Sequence, residues 1–221
     1  MFKEEDFVPK TTADLVFGNA QSKSLLDDLI SGNYPFPAVG KCGILLWGTW
    51  GTGKTAAAKI IPDAMETAQF STDSNWHFEP CVAGGNGPAL LNRLDNQTQF
   101  VSFNASGRHY IVLDEVDNLT ANAQLHLKSI MNRKDVVWIM TTNYITGIDQ
   151  GVQNRCHLIE MNAADASAWL PLCRRVLASC GSAPLPDAVL LPIITAGKGS
   201  AREIINSVAQ VAFDRARKQA T

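Results

Sequence analysis

Short apolar runs, each closed by a polar or glycine-rich turn, mark five buried strands in the first 161 residues. They are Gly43 to Trp47, Trp76 to Val82, His109 to Leu113, Val136 to Met140 and His157 to Met161. In the second, Trp76, Phe78 and Val82 alternate with polar or small residues. The third and fourth carry unbroken apolar runs, as buried strands do. Between strands the spacing lengthens to three and four. Leu25, Leu26, Leu29 and Ile30 predict a helix from Asn19 or Gln21 to Ile30, stopped near Gly32. Another follows Gly53 through Ala56-Ala-Ala-Lys-Ile-Ile61, and Pro62, which lacks an N–H, should kink or end it. Leu90 to Leu94 predicts a short helix reaching toward Val101, Asn104 to Arg108 an exposed turn, and Leu119, Leu125, Leu127, Ile130 and Met131 a helix over 118–133. From Asn162 onward the pattern is helical only: Asn162 to Cys180, Pro186 to Thr195 and Ser200 to Lys218. Pro171 inside the first of these should kink it or move its start. The expected organisation is an α/β domain over 1–161 with a sheet sandwiched by helices, then a small all-helical domain over 162–221.

One stretch organises the rest. Gly48-Thr49-Trp50-Gly51-Thr52-Gly53-Lys54-Thr55 sits between the first strand and a helix. With glycine near 7% of residues, a random chain of this length would carry that spacing roughly once in a hundred. A strand breaking into a glycine turn that opens a helix can wrap a triphosphate: backbone N–H groups and the helix N-terminus face the phosphates, and a Cβ at Gly51 or Gly53 would intrude. Lys54 then reaches the β- and γ-phosphates, and the Thr55 hydroxyl joins a Mg²⁺ shell. The third strand ends in Asp114-Glu115-Val116-Asp117. A carboxylate at the strand end suits Mg²⁺ held through water, and the next one suits polarising an attacking water. The fourth strand runs into Thr141-Thr142-Asn143, whose short polar groups can meet the γ-phosphate or that water; ligands sit at such strand tips in open parallel sheets. Arg155, before the fifth strand, either pairs with a surface carboxylate or serves as a finger for a neighbouring subunit's nucleotide. Arg202, in the first turn of the last helix, stands where a helix disfavours cations, and a phosphate partner would account for it. Val16 and Phe17 either pack as part of an arm or lie against an adenine ring.

Composition narrows the classes. At 221 residues, with 46% hydrophobic and 18% charged residues, the chain is long enough for a well-buried core. It has no apolar run near the length of a membrane span, and its charged start, Met-Phe-Lys-Glu-Glu-Asp, lacks the apolar segment of a signal peptide, so a cytoplasmic protein is expected. Five cysteines without C-x-x-C spacing predict reduced, packed thiols rather than zinc or disulfides. A net charge of −2 gives no bulk pull toward nucleic acid, so DNA binding would need a local basic stripe or several subunits pooling one. Lys128, Arg133 and Lys134 are either a solvated face or that patch.

Taken together, Pro9-Lys10-Thr11, Val16-Phe17-Gly18, Gly48 to Thr55, Asp114 to Asp117, Thr142-Asn143, Asn154-Arg155-Cys156 and Gly199-Ser-Ala-Arg202 resemble the AAA+ ATPases, and within them the clamp-loader subunits of the replication factor C kind. The resemblance implies a P-loop NTPase fold, a parallel five-stranded sheet between helices followed by a helical lid. It implies ATP and Mg²⁺ as cofactors, with Gly48 to Thr55, Val16 and Phe17 around the nucleotide and Thr55 and Asp114 on the metal. Glu115 becomes the catalytic base, Asn143 the first sensor, Arg155 a finger acting in trans and Arg202 the second sensor. Partners would be other AAA+ subunits in a ring or spiral, DNA, and a sliding clamp, helicase or recombinase; no membrane is implied. Asn154 stands where the family has serine, and neither a helical collar nor a zinc-binding cysteine set is present in the sequence.

Four functions compete: a clamp-loader-like ATPase that closes on DNA with ATP and releases on hydrolysis, a helicase-loader or transposition-regulator ATPase forming filaments on DNA, a protein unfoldase, and a scaffold that only binds. An unfoldase would need an aromatic grip where this chain has Gly84-Gly85-Asn86-Gly87. The intact set Glu115, Asn143, Arg155 and Arg202 argues against a scaffold.

Overall fold

The computed structural model describes residues 7–82 and 87–219. The charged start and the glycines after residue 82, on which the targeting and pore-loop expectations rested, lie outside them, apart from Gly87. Five strands, β1 (Gly43–Trp47), β2 (Trp76–Pro80), β3 (His109–Asp114), β4 (Val136–Thr142) and β5 (Cys156–Glu160), form one sheet in the order β2-β3-β4-β1-β5. Every pairing is parallel. Period-two alternation divides each strand between two cores. Ile44, Leu46, Tyr110, Val112, Val137 and Ile139 face α1 (Ala20–Ser31) and α2 (Lys54–Phe70). Leu45, Ile111, Leu113, Trp138 and Met140 face α3 (Pro88–Gln97), α4 (Ala121–Ile130) and α5 (Gln150–Asn154).

Local chemistry sets the element ends. The Asn19 side chain accepts from the N–H groups of Gln21 and Ser22 at the start of α1, and Gly32, at φ 79°, closes it. α2 departs from expectation, because it runs on past Pro62 to Phe70. An interior proline costs about 3 kcal/mol. Ala57, Ala58, Ile61 and Met65, none of them exposed, lie on the sheet side of this helix, and large side chains buried this way contribute about 1.5–3 kcal/mol each. The packing outweighs the lost hydrogen bond.

Three other expectations are corrected. β2 ends at Pro80 rather than Val82, because it is the sheet's edge strand and its last residue cannot donate to a ladder. α4 starts at Ala121, capped by Thr120, after a separate 3₁₀ turn at Val116–Asn118. The Asn104 turn is exposed at Ala105 and Gly107 but anchored at Asn104. Asn104 is buried and exchanges hydrogen bonds with the Asn75 backbone, and the Ser106 hydroxyl donates to the buried carboxylate of Glu66.

The last three helices, α6 (Leu170–Ser179), α7 (Asp187–Ala196) and α8 (Ala201–Gln219), share a third core. Pro171 takes the first turn of α6, so the proline moves the helix start. Phe7, from the segment ahead of α1, is buried in this core beside Trp169, Leu172 and Val176. All five thiols are free, and burial pushes Cys42 up to about 11 and Cys81 to about 12. Among the described residues no helix is long and apolar enough to cross a membrane.

Candidate active site

With all strands parallel, the carboxyl ends of β1, β4 and β3 stand side by side and deliver Gly48, Thr142 and Asp114 to one edge of the sheet. The loop after β1 is held by its surroundings. The Thr49 N–H donates to Asn162 Oδ1 at 3.0 Å, and a Cβ on Gly48 would meet the Met161 carbonyl at 2.6 Å. Gly51 has φ +75°, and a Cβ there would lie 2.3 Å from Ser200 Oγ, so its bareness lets the start of α8 dock; the Ala201 N–H donates to the Gly51 carbonyl at 2.8 Å. At Gly53 the requirement is conformational, φ +95° in open space.

Lys54 is buried, and its ammonium donates to the carbonyls of Gly48 at 3.0 Å and Thr49 at 2.7 Å. Burial lowers its pKa, and the nearby carboxylates of Asp114, Asp117 and Glu115 oppose that shift. A cation held by carbonyls, beside the unpaired N–H donors of a helix start, is equipped to receive phosphate oxygens.

The acids are arranged by hydroxyls. Asp114 Oδ1 accepts from Thr55 Oγ1 at 2.8 Å and from Thr141 Oγ1 at 2.6 Å. Thr141 Oγ1 in turn accepts the Glu115 N–H at 2.9 Å, so one buried hydroxyl fixes both the acid side chain and the backbone of the next residue. Glu115 lies in the left-handed region at φ 58°, a conformation that costs a non-glycine residue about 1–3 kcal/mol and clusters at active sites. The turn leaves its carboxylate exposed, with Asn118 Nδ2 at 3.3 Å. Thr142 Oγ1 donates to Asp117 Oδ1 at 2.7 Å. Asn143 lines the cleft, as expected from the strand tip. Thr141, Thr142 and Asn162 were missed as positioning groups. The polar tip of β4 was the available signal for the threonines, and nothing local marked Asn162.

Lys54, Thr55, Glu115, Thr141 and Asn143 line a cavity of about 670 Å³ together with Trp50, Gly51, Thr52, Gly53 and Arg202. Arg202 is exposed on the first turn of α8. Trp50 stands at the rim, edge-on to Tyr144 with ring centroids 5.5 Å apart. The opposite wall is apolar: Phe7, Val8, Pro9, Leu15 and Val16 from the arm, and Trp169, Leu172 and Ile205 from the helical region. Val16 thus lines the cleft, whereas Phe17 packs against the core between the sheet and α2, the packing alternative of the two expected. Asp14 and Arg175 close that wall at 2.7 Å, and the guanidinium, with hydrogen bonds from Thr11, holds the Asp14 carboxyl down at about 2.

Arg155 lies at the other end of the sheet. It precedes β5, and its Nη1 donates to the Gly151 carbonyl at 2.9 Å and its Nε to Asn132 Oδ1 at 3.3 Å. It is half-buried, forms no ion pair among the described residues and does not line its own chain's cavity. Lys128 and Arg133 are paired with Asp149 and Asp135, which leaves Lys134 as the exposed cation of the suspected basic patch.

The donor set at Thr55 and Asp114 is oxygen only, which suits a hard divalent cation. Among the described residues no group of three or more His, Cys, Asp or Glu side chains could hold a metal ion, so a Mg²⁺ there would draw most of its ligands from phosphate and water.

The sequence pattern of the family described as "ATPase family associated with various cellular activities (AAA)" matches residues 44–162. Replication factor C small subunit 2 of Pyrobaculum islandicum is 25% identical over 210 residues, covering 94% of this chain and 62% of that protein. The probable replication factor C subunit 2 of Dictyostelium discoideum is 28% identical over 220 residues, covering 92% and 58%. The chain thus spans about three fifths of the length of these relatives. Among solved structures, the Thermotoga maritima RuvB Holliday junction branch migration motor superposes with a TM-score of 0.69 at 16% identity, over 91% of this chain and 63% of that one. Caenorhabditis elegans PCH-2 does so at 0.61 and 12%, over 94% and 73%. At such identities the structures speak for the fold.

Proposed function

This chain belongs to the AAA family of ATPases, and from that premise we propose that it binds and hydrolyses ATP with Mg²⁺ as one subunit of an oligomer that acts on DNA in the manner of a clamp loader. The observation that carries the chemistry is the chain of bonds Thr55–Asp114–Thr141–Glu115 beside the buried ammonium of Lys54. The loop amides and Lys54 hold the β- and γ-phosphates. Thr55 and Asp114 would hold Mg²⁺, which when bound would supply charge neutralisation at the phosphates. Glu115 takes the proton of the attacking water, and Asn143, across the cleft, orients that water. Arg202 approaches the phosphates from α8, so the helical region can register whether they are present.

One cation is missing from this set. Arg155 sits at the amino end of the sheet, does not line its own chain's cleft, and pairs with no carboxylate among the described residues. In a head-to-tail assembly it would reach the neighbour's cleft. An arginine supplied in this way is worth about 10³ to 10⁵ in rate, so an isolated subunit should turn over slowly.

The DNA part rests on kinship. The relatives are named as replication factor C subunits. With a net charge of −2 and two of three candidate cations paired, one subunit offers little to a phosphate backbone, and a ring or spiral would have to pool its contacts. The test is retention on primed DNA with a non-hydrolysable ATP analogue across a salt series. ATP-dependent retention that falls steeply with salt is expected. Retention that ignores nucleotide, or none at any salt, would remove the DNA-directed reading and leave an ATPase with another target.

A further inference from the structure

Among the described ion pairs, six join residues of one body: within α1, near the sheet, or, for Arg174–Asp187, between two helices of the last core. Asp14–Arg175 is different. It links positions 161 residues apart and ties the segment ahead of α1 to α6 across the apolar end of the cleft, where both residues line the cavity. The aspartate is prepared for this contact. Its Oδ2 accepts from the Thr11 N–H and hydroxyl, both at 3.0 Å, and from the Lys10 N–H at 3.2 Å, which leaves Oδ1 aimed at Arg175.

The same segment is stitched to both bodies by apolar contacts. Leu15 and Phe17 pack with the sheet and α2, whereas Phe7 and Val16 pack with the helical core. A molecule seated against Val8, Pro9, Trp169 and Leu172 is therefore enclosed by a strap anchored at each end. The hydrophobic anchor is buried; the charged one is half-exposed on the arginine side and can open at small cost.

We propose that residues 7–17 act as a strap over the base end of the nucleotide site, and that the Asp14–Arg175 pair is the fastener whose opening sets how fast nucleotide leaves. The proposal rests on the reading of the cleft as a nucleotide site. Asp14 and Arg175 are positioning residues here, since they act by holding the wall and take no part in the chemistry.

The test is the dissociation rate of a fluorescent ADP from the full chain, measured for wild type, Asp14→Asn, Arg175→Gln, the double variant and Arg175→Lys, with the melting temperature of each recorded. Each single variant should speed release about two- to fivefold, the scale of a solvent-exposed pair. The double variant should release no faster than the singles, and Arg175→Lys should recover most of the retention. Melting temperatures that drop while release rates stay at the wild-type value would show that the pair only braces the fold, and the strap would be discarded. Rates that multiply in the double variant would overturn it equally, because the two side chains would then act independently. If wild type binds no ADP at all, the nucleotide reading itself falls and the strap with it, an outcome distinct from binding with unaltered release.

Discussion

The phosphate end of the cleft and its apolar end are built by different means. At the first, strand register brings Asp114, Thr141 and Thr55 into contact, and each sits at a strand tip or a helix start fixed by the sheet. At the second, the arm ahead of α1 meets α6, α8 and the turn at Trp169 across the opening, held by one buried phenylalanine, a few apolar contacts and an ion pair. The first end is held because Asp114 and Thr141 are themselves members of the parallel ladder. Among the described residues the second is joined to the phosphate loop by a single backbone hydrogen bond, Ala201 to Gly51, so it is where opening should be cheapest. On the proposed function, the sheet edge would govern the rate of the chemistry, and the arm and helices would govern entry and retention.

Substitutions at the two ends should accordingly fail in different ways. Within the two ends of one chain's own cleft, the largest expected effect is at Glu115. Glu115→Gln keeps shape and exposure but removes the proton acceptor, so steady-state turnover should fall by about 10² to 10⁴ while equilibrium titration shows ATP still bound. Equal turnover by wild type and variant would remove Glu115 from its role. Thr141→Val is smaller. It takes one hydrogen bond from Asp114 and leaves the Glu115 N–H without its partner, so turnover should fall roughly tenfold, the value of one to two ordinary hydrogen bonds, with affinity for nucleotide little changed. A loss of affinity as large as the loss of turnover would mean that the sheet edge and the apolar wall are not separable.

The smallest effect belongs to the strap and to acid. Asp14 has its carboxyl lowered from 3.8 to about 2, first by Arg175. Its charged form is therefore favoured by folding, the contribution is complete above 3.8, and it fades as pH falls toward about 2. Hydrogen exchange followed by mass spectrometry through that window should reveal loosening around residues 10–15 and α6 before β1 or β4. Simultaneous loosening of strap and sheet would place Asp14 within a single cooperative unit.

The phosphate end was largely legible in the sequence because its determinants are local. A glycine loop between an apolar run and a helix former, two carboxylates closing a buried strand and a polar tip on the next one lie each within a handful of residues. Part of the polar tip was not legible: Thr142 looks like a ligand-facing group but is buried and donates to Asp117, and Thr141, although it lines the cleft beside Asn143, is committed to Asp114 and Glu115. That α2 does not end at Pro62 was not legible for a related reason, since a local penalty is visible in one residue, whereas the packing that overrides it is spread over the sheet. The apolar end was hardly legible. Asp14 and Arg175 carry no motif, and only the fold brings them together. Phe17 beside Val16 illustrates the limit, as adjacent residues in an extended segment point to opposite sides and only one can line the cleft.

The central claim is that each cleft is completed by the next subunit's Arg155. Mixing Glu115→Gln with Arg155→Ala tests it directly. Each variant alone should be nearly inactive, but an Arg155→Ala cleft facing a Glu115→Gln neighbour has every group it needs, and random assembly would create such an interface roughly one time in four. ATPase activity well above the sum of the separate variants is the predicted result. A mixture no more active than that sum, from proteins that still assemble and bind ATP, would contradict it.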